Sequence, residues 1–121
     1  MAKPAFQSLH VCRLAERLSD EIWPVAREWD DFARDTVGKQ LVRAADSIGA
    51  NIAEGCGRGS YQDNRRFVRI ARGSLNETTH WLRRAYCRSL VPAAQVDALR
   101  PLLDELSPRL NAYLKSIGPK K

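Results

Sequence analysis

The residues best suited to chemistry in this 121-residue chain are arginines with a helical spacing near its centre. A helix over this segment places a row of polar side chains on one face: Arg65, Arg69, Arg72, Asn76, His80 and Arg83. Because an arginine fork donates two parallel hydrogen bonds to a phosphate, such a row on a rigid helix suits a nucleic-acid backbone. The alternative is an ordinary solvated face, and both interpretations stay open.

The positive charge of the chain is concentrated in the same segment. Residues 58–88 contain eight arginines and two acidic residues, whereas the rest is balanced, so the whole net charge of +6 lies here. A localised excess indicates an anionic partner better than a high isoelectric point does. The predicted contacts to RNA or DNA are Arg58, Arg65, Arg69, Arg72 and Arg83.

A second polar group consists of Asn51, Glu54 and Glu77. The two carboxylates could work as an acid and a base, or they could be acceptors that fix a turn and the helix register. The structural interpretation is favoured, because the sequence shows no nucleophile, metal-ligand or phosphate-loop pattern. Glu54 falls at a predicted helix C-terminus, where the macrodipole disfavours a negative charge, so it needs a partner, either Arg58 or the first backbone N–H groups of the third helix.

We therefore predict a non-enzymatic protein with no catalytic residue, metal or cofactor. His10 and His80 stand apart from other potential metal ligands. The three cysteines have no CxxC spacing and are predicted to be reduced thiols of a cytoplasmic protein. No apolar run approaches the roughly 18 residues of a membrane span, and the first residues lack a signal-peptide core, so no membrane association is predicted.

Four amphipathic helices are predicted to position these residues. The first has apolar positions between Val11 and Trp29, with Pro24 inside it, and Trp23 lies off that stripe as a candidate subunit contact. The second ends at Gly55, a candidate C′ residue. Residues 30–38 are predicted to form an irregular link between these two helices.

The third and fourth helices complete the pattern. Ser60 is predicted to cap the third helix, whose apolar stripe is Phe67, Ile70, Ala71, Ser74, Leu75, Thr78, Trp81, Leu82 and Ala85. The fourth starts near Pro92, and two further prolines, Pro101 and Pro108, are predicted to lie on its solvent side. The predicted fold is an all-α, antiparallel up-and-down four-helix bundle, a single domain over residues 1–121 with 1–5 and 118–121 as candidate disordered ends.

The chain also resembles a known family. The main stretches that match are Arg-Ala-Ala (43–45), Asn-Ile-Ala-Glu-Gly (51–55) and Gly-Ser-Leu (73–75) followed by Glu77. In these the chain is similar to the four-helix-bundle proteins encoded by intervening sequences in bacterial 23S ribosomal RNA genes. The resemblance implies a structural motif formed by Arg43, Asn51, Glu54, Gly55 and Glu77. The chain departs from the family pattern at residues 29–38.

The resemblance also implies partners. Proteins of this kind form ring-like homopentamers, and similar basic bundles are accessory proteins to the reverse transcriptases of diversity-generating retroelements. The family itself has no well-defined biochemical role. We therefore expect a homo-oligomer, with a pentamer favoured, that binds nucleic acid, with RNA favoured. The alternative is a protein–protein scaffold, or an accessory subunit of a polymerase-type partner such as a reverse transcriptase, without a direct nucleic-acid role.

Overall fold

The computed structural model describes residues 6–119, and every regular element within that range is a helix. Its elements are α1 (Phe6–Arg27), α2 (Asp31–Ala33), a π-helical turn (Arg34–Gly38), α3 (Lys39–Cys56), α4 (Tyr61–Cys87) and α5 (Ala93–Ser116). The four long helices α1, α3, α4 and α5 confirm the predicted all-α four-helix bundle. None of the helices described is long and apolar enough to cross a lipid bilayer.

Each long helix packs against two neighbours. α1 contacts α3 and α5, and α4 contacts α3 and α5, which closes a four-sided bundle. The contact between α3 and α4 is the most extensive of the four, and that between α4 and α5 the least. The core consists of fully buried aliphatic side chains from all four helices, among them Leu18, Ile48, Val68 and Leu106. Burial of these side chains is the main stabilising term of the fold.

The predicted apolar stripe of α4 was wrong at two positions. Val68, which the stripe omits, is 1% exposed, whereas Ile70 is 43% exposed. The buried positions of α4 follow a heptad-like spacing from Val68 through Ala71 and Leu75 to Leu82, and Ile70 falls outside it. Burial of α4 between two neighbouring helices, α3 and α5, sets this register.

The first connection is helical, contrary to the irregular link predicted for residues 30–38. The Asp30 side chain caps α2 by accepting a hydrogen bond from the Ala33 N–H at 2.9 Å. The chain then passes through the π-helical turn into α3 without leaving the helical region, since Gly38 has φ −59° and ψ −47°. Gly38 packs against the Trp29 ring, and a Cβ at this position would lie 3.4 Å from Trp29 Cε3.

The turn between α3 and α4 differs from the prediction in one respect. Gly55 is not a C′ residue; it is a buried residue in the last turn of α3, and the helix ends at Cys56 with Gly57 as its C-cap. A Cβ on Gly55 would lie 2.6 Å from Asn64 Oδ1 and 3.0 Å from Phe67 Cβ, so this glycine permits α4 to approach closely. The predicted cap is confirmed: Ser60 Oγ accepts from the Asp63 N–H at 3.1 Å.

α5 is continuous through both of its prolines. Pro101 and Pro108 lie inside the helix and are exposed, as predicted for its solvent side. Pro92 is the N-cap of α5 rather than its first helical residue. Of the candidate disordered ends, residues 1–5 and 120–121 lie outside the described range. Gly118 is described, has φ +151° and lies beside the Arg65 guanidinium.

Candidate nucleic-acid interface

The predicted basic row lies along α4, and its members have different surroundings. Arg69 and Arg83 are exposed and make no hydrogen bond or ion pair within the described part of the chain. Arg83 shares a groove with Asp97 and Asp104 but forms an ion pair with neither. These two side chains are therefore the ones most available to an external anion.

Arg65 and Arg72 are turned toward α5. Arg65 Nη1 donates to the Ile117 backbone oxygen at 2.7 Å, beyond the last residue of α5. Arg72 Nη1 donates to Asn111 Oδ1 at 3.2 Å. Each guanidinium carries five N–H donors, so one bond to α5 leaves others for a phosphate while fixing the direction of the side chain. The row thus follows the seam between α4 and α5.

Arg58 is held at the turn between α3 and α4. Its Nη2 lies 2.8 Å from Glu54 Oε1, which confirms the expected partner for the carboxylate at the end of α3. Its Cζ also lies 4.8 Å from the centre of the Phe67 ring, and Arg66 Cζ lies 4.9 Å from the same ring. Cation–π attraction therefore holds two guanidinium groups against one half-buried ring at this end of α4.

We expect the pair between Glu54 and Arg58 to contribute little stability, because both side chains are roughly half exposed. Replacement of Glu54 by Gln should lower the free energy of unfolding by less than about 1 kcal/mol, the usual range of surface ion pairs. Urea denaturation measures this, with Glu21→Gln as a control because Glu21 forms a similar exposed pair with Arg17. Unchanged stability with lost nucleic-acid binding would show instead that Glu54 has a functional role.

The remaining motif residues lie apart from one another. Asn51 Nδ2 donates to the Ser47 backbone oxygen at 2.8 Å and stays on its own helix. Glu77 is exposed and has no ion pair in residues 6–119, including with Arg66 or Arg84. Arg43 is exposed beside a hollow between α1 and α3. The structure therefore brings Glu54 and Arg58 together but does not bring Glu54 and Glu77 into contact as an acid–base pair.

A buried polar cluster, which the sequence did not predict, joins the four long helices at the end where α3 ends. The Tyr113 hydroxyl of α5 accepts a hydrogen bond from Asn64 Nδ2 at 3.3 Å and lies 3.4 Å from Cys56 Sγ. Ser8 of α1 also bonds to this phenol. Burial and the bond with Cys56 raise the pKa of Tyr113 to about 12, so its hydroxyl stays protonated and structural.

Cys12 is poorly suited to nucleophilic chemistry. Burial, the nearby Cys56 and Glu16 raise the pKa of the Cys12 thiol to about 11, which leaves little thiolate at neutral pH. All three cysteines are free thiols. His10 lies 3.6 Å from Glu105, and no group of metal-ligating side chains occurs within residues 6–119.

Comparison with known proteins assigns the family. The model of the family described as "23S rRNA-intervening sequence protein" matches residues 7–112. The chain belongs to this family. The crystal structure of a protein of unknown function from the S23 ribosomal protein family of Bacteroides thetaiotaomicron is similar to this chain, with a TM-score of 0.84 and 22% identity. The match covers 92% of this chain and 100% of that one.

These similarities bear on the fold and leave the activity open. At 22% identity the solved structure supports the four-helix architecture alone. No curated protein has a significantly similar sequence. A function for this member of the 23S rRNA-intervening sequence protein family must therefore be argued from its own surface.

Proposed function

We propose that the protein is a non-enzymatic helical bundle that binds nucleic acid through phosphates, with RNA favoured over DNA. The observation that carries this proposal is the set of arginines on α4 that have no acidic partner, above all Arg69 and Arg83. Together with Arg65 and Arg72, which are bonded to α5, these two arginines form a rigid cationic surface. Such a surface suits a phosphate chain, because arginine forks bind phosphate oxygens without regard to base sequence.

The bonded arginines also support the proposal. Arg65 and Arg72 retain free donors, and their bonds to α5 restrict the orientation of the side chains before any ligand arrives. Pre-ordered side chains lose less conformational entropy on binding. We also propose a cytoplasmic location, which the three free cysteines support.

A filter-binding titration at low salt tests the proposal directly. Labelled RNA and DNA of equal length and unrelated sequence should both be retained by the protein, with RNA bound more tightly. Phosphate contacts predict similar affinities among sequences of one type. If neither nucleic acid is retained at micromolar protein, the proposal is wrong.

We further propose that the protein is a homo-oligomer, with a pentamer favoured by the family resemblance. Trp23 is 54% exposed and lines an apolar hollow of about 320 Å³ between α1 and α3. Large exposed aromatic side chains are typical of subunit contacts. This face lies on the opposite side of the bundle from the α4/α5 seam, so self-association through Trp23 would leave the basic row free.

Light scattering tests the assembly. The measured mass should be a multiple of the 13.6 kDa of one chain, and near five times that value for a pentamer. Trp23→Ala should reduce the mass. A monomeric wild-type protein at micromolar concentration would contradict the proposal of self-association.

The alternative function is a protein–protein scaffold or an accessory subunit, for example of a reverse transcriptase. The exposure of Phe32, at 80%, together with that of Trp23 favours this alternative, because both are unpaired apolar surfaces on one chain. It predicts that the purified protein binds neither RNA nor DNA. The filter-binding titration therefore separates the two functions.

A further inference from the structure

A groove between α4 and α5 lies beside the basic row. It has a volume of about 510 Å³ and lies between the two neighbouring helices that pack least extensively. Its apolar part comes from the buried side chains of Leu75 and Leu82 and the half-buried Val96 and Leu103. Tyr86, 50% exposed, lines it toward the end of α4. The groove thus combines an apolar floor with an accessible aromatic ring.

Polar side chains that could bind base edges line the same groove. Asn76 on α4 and Asp104 on α5 make no hydrogen bond within residues 6–119, so their amide and carboxylate groups are free. Asp97 pairs with Arg100 at 3.6 Å, an exposed and weak contact. Amide and carboxylate groups complement the donors and acceptors on base edges. The groove therefore offers both stacking and hydrogen-bonding partners to a planar heterocycle.

The groove and the basic row are continuous. Arg83 belongs to both, and Arg72, one turn before Asn76, is directed toward α5 by its bond to Asn111. We propose that the groove takes the unstacked bases of a single-stranded nucleic acid whose phosphates lie on the basic row. A duplex cannot enter in this way, because its base faces are stacked on one another. This inference rests on the proposed function and adds a preference for single strands.

The charge of the groove favours this occupant over a peptide helix. Arg83 and Arg100 are balanced by Asp97 and Asp104, so the groove itself has no net charge, while the row beside it is strongly cationic. A strand that is anionic along its backbone and neutral at its bases matches both surfaces. A peptide helix in the groove would match both surfaces only if its acidic residues all lay on the side next to the basic row.

Affinity for single-stranded and duplex RNA with equal numbers of phosphates tests the proposal. Phosphate contacts alone favour the duplex, whose charge density and counterion release are greater. Base contacts oppose this order, because stacking of one base strengthens binding by about tenfold or more, and we expect the single strand to bind more tightly than the duplex. Tyr86→Ala should abolish this preference. The matched control is Tyr61→Ala, since Tyr61 is 53% exposed on the same helix but lies outside the groove.

The outcomes separate this inference from the proposed function. A single-strand preference that is lost in Tyr86→Ala and kept in Tyr61→Ala supports the groove. Duplex binding at least as tight as single-strand binding, unchanged by Tyr86→Ala, overturns the groove and leaves the proposed function intact. Failure to bind either nucleic acid overturns both. If Tyr86→Ala lowers the mass of the assembly in sedimentation, the groove is a subunit contact and the inference is wrong.

Discussion

Replacement of Arg69 and Arg83 by Gln should lower nucleic-acid affinity by about 100-fold, because each lost charged hydrogen bond costs at least about 1.4 kcal/mol. Both side chains are exposed and lack acidic partners in the described range, so their removal leaves no buried charge behind. The loss should be similar for unrelated sequences, since phosphate contacts carry no base information. Filter binding with several labelled RNAs measures the change.

A control variant removes two positive charges from helices other than α4. Arg17 and Arg109 are exposed, and each pairs with a glutamate on its own helix, at 3.7 Å and 3.8 Å. Replacement of both by Gln lowers the net charge by two, as in the α4 variant, and should have only a small effect on affinity. Equal losses in the two variants would mean that overall charge, and not the α4 row, attracts nucleic acid.

Replacement of Gly55 by Ala should lower the free energy of unfolding by about 1–3 kcal/mol, the usual cost of overpacking. Its Cβ would lie 2.6 Å from Asn64 Oδ1, 3.0 Å from Phe67 Cβ and 3.2 Å from the Asn64 backbone oxygen. α4 would have to move away from α3, disturbing the bond between Asn64 and Tyr113. Thermal and urea denaturation measure the loss.

Gly73 on α4 has room for a side chain, unlike Gly55 on α3. It is exposed in the middle of α4, and a Cβ there would meet nothing within 4 Å. Gly73→Ala should therefore raise the free energy of unfolding by about 1 kcal/mol, the difference in helix propensity between the two residues. If Gly55→Ala were also stabilising, α3 and α4 would not be in the close contact described above.

The bundle could be predicted because its local signals agree with one another. Leu18, Ile48, Leu106 and Leu110 belong to the predicted apolar stripes of their own helices, and all four are buried. Ser60 caps α4 through a contact three residues away, which sequence alone specifies. These features depend on one helix at a time, so no knowledge of the neighbours was needed.

The features that sequence missed depend on contacts between helices. Val68 and Ile70 exchange roles because α4 is buried on two sides, by α3 and α5. Gly55 is required by the approach of α4 and not by its own backbone angles. Periodicity within one helix cannot show such tertiary effects.

The sequence predicted which arginines form the candidate site but not the direction of their side chains or the groove beside them. The sequence identified the arginine row, yet the bonds of Arg65 and Arg72 to α5 depend on partners 52 and 39 residues away. The groove beside Tyr86 arises from the spacing of two helices, which the pattern within one helix does not specify. Side-chain direction therefore had to come from the structure.

The salt dependence of RNA binding tests the central claim most directly, because it counts phosphate contacts. On single-stranded RNA the log–log slope is about −0.7 per neutralised phosphate, so loss of Arg69 and Arg83 should flatten it by about 1.4 if each makes one contact. The Arg17 and Arg109 variant should keep the wild-type slope. The account predicts a flatter slope for the α4 variant alone, and an identical slope for wild type and both variants would contradict it.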